Sequence, residues 1–224
     1  MPAGTMLDIT YRSVCNVSMA TKQPDTTRDT ILDAAFCEIH RQGYQAASIA
    51  NILAKTGLTK GALYHHFPAK QDLGLAVVDE IIRAGMQAMV FDPLRESDDP
   101  YDTLLEIIGR KAERADLESV SLGCPLNNLM QEMSPLDEAF KNRLLVILKV
   151  WQDSFADALR RAQQQGRIGR EVDTKAAALF IVSSWEGCVG VAKNMQSVKA
   201  YRVCMQQLRG YVAGLQVPAR RKTA

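Results

Sequence analysis

Apolar residues recur every three to four positions along most of this chain, and that period predicts helices rather than strands. The first run sets Ile31, Leu32, Ala35, Phe36 and Ile39 on one face and stops at Gly43. A second, shorter run carries Ile49, Ile52 and Leu53. Ser48 stands where its hydroxyl can accept from an orphan backbone N–H one turn in. Gly57 closes the run, since the left-handed conformation costs glycine nothing. A third run opens after Thr59, again a cap, and turns Leu63 and Phe67 inward. Lys60, Gly61, Ala62, Tyr64 and His65 are left pointing out. Two short helices joined by a tight turn predict a helix-turn-helix, whose second helix enters the DNA major groove.

The same period continues. Pro68 and Lys70 start a long fourth helix to about Val90, with Leu73, Val77, Ile81 and Ile82 on its inner face and a candidate phosphate site at its N-terminus. Asp92 to Asp99 is polar, acidic and proline-bearing, and is expected to be the domain junction. Asp99-Pro100 caps a fifth helix, with proline where its missing N–H is not needed. Gly123 breaks a helix and Pro125 begins a short one to about Met133, so Cys124 falls at an N-cap. The positive end of the helix dipole there is expected to lower its thiol pKa. Ser134-Pro135-Leu136-Asp137 is expected to open the next helix in the same way. Phe140, Leu144, Ile147, Leu148, Trp151, Phe155 and Leu159 form a long stripe ended by Gly166. Asp173 caps a helix whose residues 176–192 are apolar on nearly every side, so it is either buried on all faces or packs on a partner. Tyr201, Met205, Leu208, Val212 and Leu215 line the last helix. The fold class is all-α.

Charge sharpens the reading. The 224 residues carry 27 Lys and Arg against 25 Asp and Glu, so any strong positive field is local. Between Glu38 and Asp72 there is no carboxylate, whereas Arg41, Lys55, Lys60, Lys70, His65 and His66 all lie there. A surface that approaches a line of phosphates must exclude carboxylates. Ser48 and Lys70 are expected to hold phosphates. Tyr64 and His65 are expected to touch backbone or base edges, and Lys60 either. Gly61 and Ala62 allow close approach, with the alanine methyl able to meet a thymine methyl.

The run Thr59-Lys60-Gly61-Ala62-Leu63-Tyr64-His65-His66-Phe67, followed by Lys70, closely resembles the signature of the TetR family of bacterial transcriptional regulators. The strong resemblance covers about residues 26 to 85. It implies a DNA-binding head over residues 26–72 and a helical ligand-binding and dimerisation domain over 73–217. It also implies a homodimer through the last two helices, with Gly187 and Gly190 allowing close approach, and a double-stranded operator released by a small-molecule effector. Residues 1–25 have no period and are expected to be a disordered arm, with Met19 as an alternative start; residues 218–224 are expected to be a disordered tail. Gly123-Cys124-Pro125-Leu126-Asn127-Asn128-Leu129, with Glu132 and Ser134, looks like a segment of a TetR subgroup that includes sensors of reactive electrophiles. Cys124 is therefore either the reactive thiol of such a sensor or a small packing residue. The candidate ligand wall adds Asn127, Asn128, Trp151, Trp185 and Glu186. The last two face different directions on one helix, so at most one lines the pocket. A small, mostly apolar or electrophilic effector is expected.

Other classes fit less well. The only histidines, His40, His65 and His66, sit in the head, so Cys124 has no obvious base, and no phosphate loop or metal spacing appears. Neither an enzyme, a metal site nor a cofactor is expected. Cys15, Cys37, Cys124, Cys188 and Cys204 are odd in number with no CxxC pair, so no disulfide framework is expected and a reducing cytoplasm is the natural setting. No secretory signal or bilayer-spanning run is read, since Ser183, Ser184 and Glu186 interrupt residues 176–192. A helical interaction module without a DNA role, or an activator rather than a repressor, are the alternatives.

Overall fold

The computed structural model describes residues 26–217; the expected arm and tail lie outside them. Ten helical stretches and the turns between them occupy these residues. α1 (Thr26–Gln42), α2 (Ile49–Thr56) and α3 (Lys60–His66) come first. A helical run follows: α4 (Lys70–Ala76), a π-helical stretch Val77–Ile82, α5 (Arg83–Met86), a second π-helical stretch Gln87–Phe91, and α6 (Asp92–Glu96). Then come α7 (Pro100–Glu113), α8 (Leu117–Leu122), α9 (Pro125–Met133), α10 (Glu138–Gln164), α11 (Thr174–Met195) and α12 (Val198–Gly214).

The described residues divide into two compact units. One holds those up to Met89 together with Pro125–Ile147. The other holds Val90–Cys124 and the described residues from Leu148 onward. In the first, α1 packs against α2, α3, α4 and the first π stretch, and α9 packs on that π stretch. Ile31, Phe36, Ile52, Leu63, Phe67 and Leu73 are all buried there. Each such side chain contributes about 1.5–3 kcal/mol of hydrophobic stabilisation. In the second unit α12 packs on α7, α8 and α11, and α8 also packs on α11. Tyr101 on α7 ties this unit to its C-terminal end, its hydroxyl donating to the Val212 carbonyl at 2.8 Å.

Several expectations are corrected. The long helix does not end at Val90: the chain stays helical to Glu96, with Pro93 in the first turn of α6 where its lost N–H is not missed. Only residues 97–99 interrupt it before α7. Ile81 is half-exposed, whereas Val78 and Ile82 are fully buried. The π stretch is the reason, since its i→i+5 bonding (Arg83 N–H to Val78 carbonyl) inserts a residue and rotates the inner face. Ser134 to Leu136 form a turn, and Asp137 caps α10, accepting from the N–H groups of Ala139 and Phe140 at 2.8 and 3.1 Å. The cysteines are not all thiols: Cys188 and Cys204 are joined in a disulfide, and Cys37 is also disulfide-bonded. Sequence spacing missed the first pair because the two residues meet across helices. Finally, α11 is by length and composition apolar enough to cross a bilayer, at a mean hydropathy of 1.3. Of that window, 44% is buried inside the protein.

Candidate nucleic-acid interface

The caps of the helix-turn-helix form as their residue types dictate. Ser48 Oγ accepts from the Asn51 N–H at 3.4 Å and Thr59 Oγ1 from the Ala62 N–H at 3.2 Å. Gly57 takes φ +69° at the end of α2, and its N–H closes on the Leu53 carbonyl. Each side-chain cap contributes about 1 kcal/mol. Leu63 and Phe67 are buried, which leaves Lys60, Gly61, Tyr64 and His65 exposed on the other side of α3 and Ala62 half-exposed. A Cβ added to Gly61 would meet nothing closer than Thr59 Oγ1 at 3.8 Å. The protein itself therefore does not require glycine there.

Electrostatics keep this face clear of negative charge. Glu38, at the edge of the carboxylate-free window, is 2% exposed. It accepts from Lys55 Nζ at 2.7 Å and from Asn51 Nδ2 at 2.8 Å. Burial pushes its carboxyl up, but the bonds from Lys55 and Asn51, the Lys55 charge and the Ser48 N–H outweigh it and hold it below the ordinary range. A buried acid thus ties α1 to α2 without presenting charge outward. Lys55 is partly neutralised by it, so Lys60 is the cation that α3 itself presents.

Lys70 stands at the start of α4. It is half-buried, donates to the Gln45 carbonyl at 3.0 Å, and lies over the Tyr44 ring at 4.9 Å. At the N-terminus of α4, Asp72 accepts from the Ala69 N–H at 3.0 Å.

The role of one residue of this unit was invisible to sequence reasoning, which placed it only with the Gly123-Cys124-Pro125-Leu126 segment. Glu132, near the end of α9, accepts from the N–H groups of Tyr44 and Gln45, both at 2.8 Å. It fixes the loop between α1 and α2 that delivers Ser48. Gly43, at φ +83°, makes room for it, since a Cβ there would stand 3.0 Å from Glu132 Oε2. The partners are 88 and 87 positions apart, and no local pattern reports that. Arg28 likewise clamps Glu80 with two bonds of 2.7 and 2.6 Å, and that pairing, despite some burial, lowers the Glu80 carboxyl.

The expected ligand residues fall in two places. Asn127 and Asn128 lie on α9 in the first unit, where Asn127 accepts from Gln131 at 3.5 Å. Cys124, Trp151 and Trp185 belong to the second. There Trp151 stacks edge-on to Trp185, with centroids 5.6 Å apart, and to Phe155 at 6.0 Å. Trp151 is 2% exposed, and its indole N–H has no hydrogen-bond partner among the described residues. Glu186 faces another group. Burial lowers the Lys111 ammonium, against which the charges of Cys124 and Glu186 act. Burial raises the Tyr201 hydroxyl, and the same two charges raise it further. A thiol, an amine, a carboxylate and a phenol thus share one neighbourhood. Lys111 and Tyr201 were not singled out in sequence because each sits on a stripe that reads as ordinary helix.

Caps, buried stripe and carboxylate-free outer face together define a helix-turn-helix DNA-binding protein. Residues 31–77 match the family described as bacterial regulatory proteins, tetR family, and residues 100–208 match the tetracyclin repressor-like C-terminal domain. An HTH-type transcriptional regulator from the lacX 3′ region of Lactococcus lactis is 30% identical over 133 residues, covering 59% of this chain and 68% of that one. The HTH-type transcriptional repressor DhaR of a Mycobacterium species is 27% identical over 149 residues, covering 66% and 73% of the two chains. A regulatory protein TetR from Rhodobacter sphaeroides has the same fold, with TM-score 0.73 and 26% identity over 85% of this chain and 99% of that one. This chain belongs to the TetR family of bacterial transcriptional regulators. It is a DNA-binding regulator and not an enzyme.

Proposed function

We propose that this regulator is a homodimeric repressor that releases a palindromic operator when a small, mostly apolar or electrophilic effector occupies its C-terminal unit. The observation that carries the DNA-binding part is the outer side of α3, where Lys60, Gly61, Tyr64 and His65 are exposed and no carboxylate intervenes. Ser48 and Thr59 flank it as caps whose hydroxyls lie close to where phosphates run. Two such helices, about 34–36 Å apart, would enter successive major grooves.

Pairing is supported by what α11 and α12 leave uncovered. Leu179, Phe180, Val191 and Met195 on α11 are each at least half exposed, as is Val203 on α12. A Cβ at Gly187 or Gly190 would meet nothing within 4 Å, so a second backbone can come close. Isolated exposed apolar residues are ordinary, but such a set on two adjacent helices marks an interaction surface. Repression fits the similarity to DhaR, a transcriptional repressor.

The effector is read from the second unit. The tryptophan pair offers an apolar wall, and half-buried Cys124 stands near Lys111, Glu186 and Tyr201. The Gly123-Cys124-Pro125-Leu126 segment supports the electrophile-sensing subgroup, with Cys124 as its thiol. A ligand that prefers the wide-headed state would weaken operator binding by linkage. The test is fluorescence anisotropy on a duplex selected from a random pool, before and after exposure to a quinone. Loss of binding in the natural protein but not in Cys124→Ser is expected. Equal loss in both would return Cys124 to packing.

A further inference from the structure

Cys188 and Cys204 stand outside everything the DNA-binding reading uses. Cys188 is 3% exposed and lies on the buried stripe of α11 with Ile181, Trp185 and Ala192. Cys204 is half-buried, three positions after Tyr201 and four before Leu208, at the inner edge of α12. The Cα atoms are 5.5 Å apart and the structure joins the sulfurs, so the two helices need not move for the bond to form or break. A DNA-binding regulator works beside the chromosome, where glutathione keeps thiols reduced and disulfides, when they occur, are mostly transient. A pair already at bonding distance in that setting is a reversible couple rather than a permanent staple.

We propose that Cys188 and Cys204 form an intrasubunit redox site that exchanges with low-molecular-weight disulfides such as oxidised glutathione, and that oxidation locks α11 to α12. Cys204, the less buried of the two, reacts first. Its thiol loses a proton to solvent, and its sulfur attacks one sulfur of oxidised glutathione. The glutathione S–S bond breaks and one glutathione leaves as thiolate, taking up a proton. Cys188 then loses its proton and attacks the Cys204 sulfur of the mixed disulfide. The Cys188–Cys204 bond forms and the second glutathione leaves and is protonated. Two electrons have passed from the protein pair to oxidised glutathione, and excess reduced glutathione runs the steps backward. The same helices carry Phe180, Val191 and Val203, so the lock fixes the apolar surface assigned above to the partner subunit. That consequence rests on the dimer reading; the exchange chemistry does not.

The test uses the full-length protein equilibrated in buffers running from oxidised to reduced glutathione. Thiols are trapped by N-ethylmaleimide at acid pH and peptides are mapped by mass. The linked Cys188–Cys204 peptide is expected to give way to two alkylated peptides in a single transition within that range. In Cys188→Ser the reaction should stall, leaving one glutathione on Cys204. A pair that stays alkylated in oxidised glutathione, or stays linked in reduced glutathione while the protein remains folded, would overturn the proposal. So would the absence of an adduct on Cys204 in Cys188→Ser. Operator anisotropy on both redox forms separates the two readings. Exchange without any DNA binding would sink the regulator while leaving the redox site, and binding without exchange would do the reverse.

Discussion

Gly61 is the single position where stability and function are expected to part. It sits inside α3, where glycine costs about 1 kcal/mol relative to alanine. Nothing in the protein would obstruct a side chain there. Gly61→Leu should therefore keep or raise the melting temperature while lowering operator affinity by tenfold or more, read by calorimetry and anisotropy. Loss of stability with unchanged affinity would mean that α3 is not the groove-facing helix. Glu38 makes the opposite case, a charge retained for structure. Its folded pKa lies below the ordinary value near 4.5. The stability it contributes is thus complete above that value and is lost as pH falls through the lower folded pKa. Glu38→Gln should cost about 1–3 kcal/mol at neutral pH, because a charged hydrogen bond to Lys55 is lost. The gap between variant and natural protein should narrow as pH falls below the ordinary value and close only beneath the lowered folded pKa, measured by urea denaturation across the acid range.

Elements show where local pattern suffices and where it does not. The caps of α2 and α3, the left-handed Gly57 and the inward Leu63 and Phe67 were all legible, because each depends on neighbours within four positions. So was Asp173 at the start of α11, which accepts from Lys175 and Ala176. The run after Lys70 was legible only in outline. A 3.6-residue period predicts Ile81 inside with Ile82; the π stretch keeps Ile82 there but carries Val78 inward in place of Ile81, and nothing in residue type announces it. Pro93 read as a break because proline often is one, yet at the start of α6 it is compatible with helix. Links between distant elements were out of reach altogether: Glu132 with the Tyr44–Gln45 loop, the charge of Glu186 acting on Lys111, the Cys188–Cys204 bond. The first of these has a direct test. Glu132→Gln keeps one acceptor oxygen and loses the second, so one of the two loop amides is left without its bond. Hydrogen exchange at Tyr44 or Gln45 should speed by about tenfold or more, since bonds to a charged acceptor contribute about 1.5–3 kcal/mol each. Operator affinity should fall with it, because that loop sets the position of Ser48. Unchanged exchange at both amides would remove Glu132 from this role.

For the whole molecule, the chain's near-balanced charge makes the local field of the head decisive. Its 27 basic and 25 acidic residues supply no general attraction to DNA. In the proposed dimer, binding comes from a small basic face used twice, and it should be steeply salt-dependent. The measurement that bears most directly on this is anisotropy of the full-length protein on a duplex selected from a random pool, titrated from low to physiological salt. The selected sequence should contain inverted half-sites about one helical turn apart. Affinity should fall log-linearly with salt, with a slope reporting several phosphate contacts. Lys60→Ala should reduce that slope, by about one contact per head. A selection that returns no common sequence, or binding that ignores both salt and Lys60, would contradict the assignment of α3 as the DNA-reading helix.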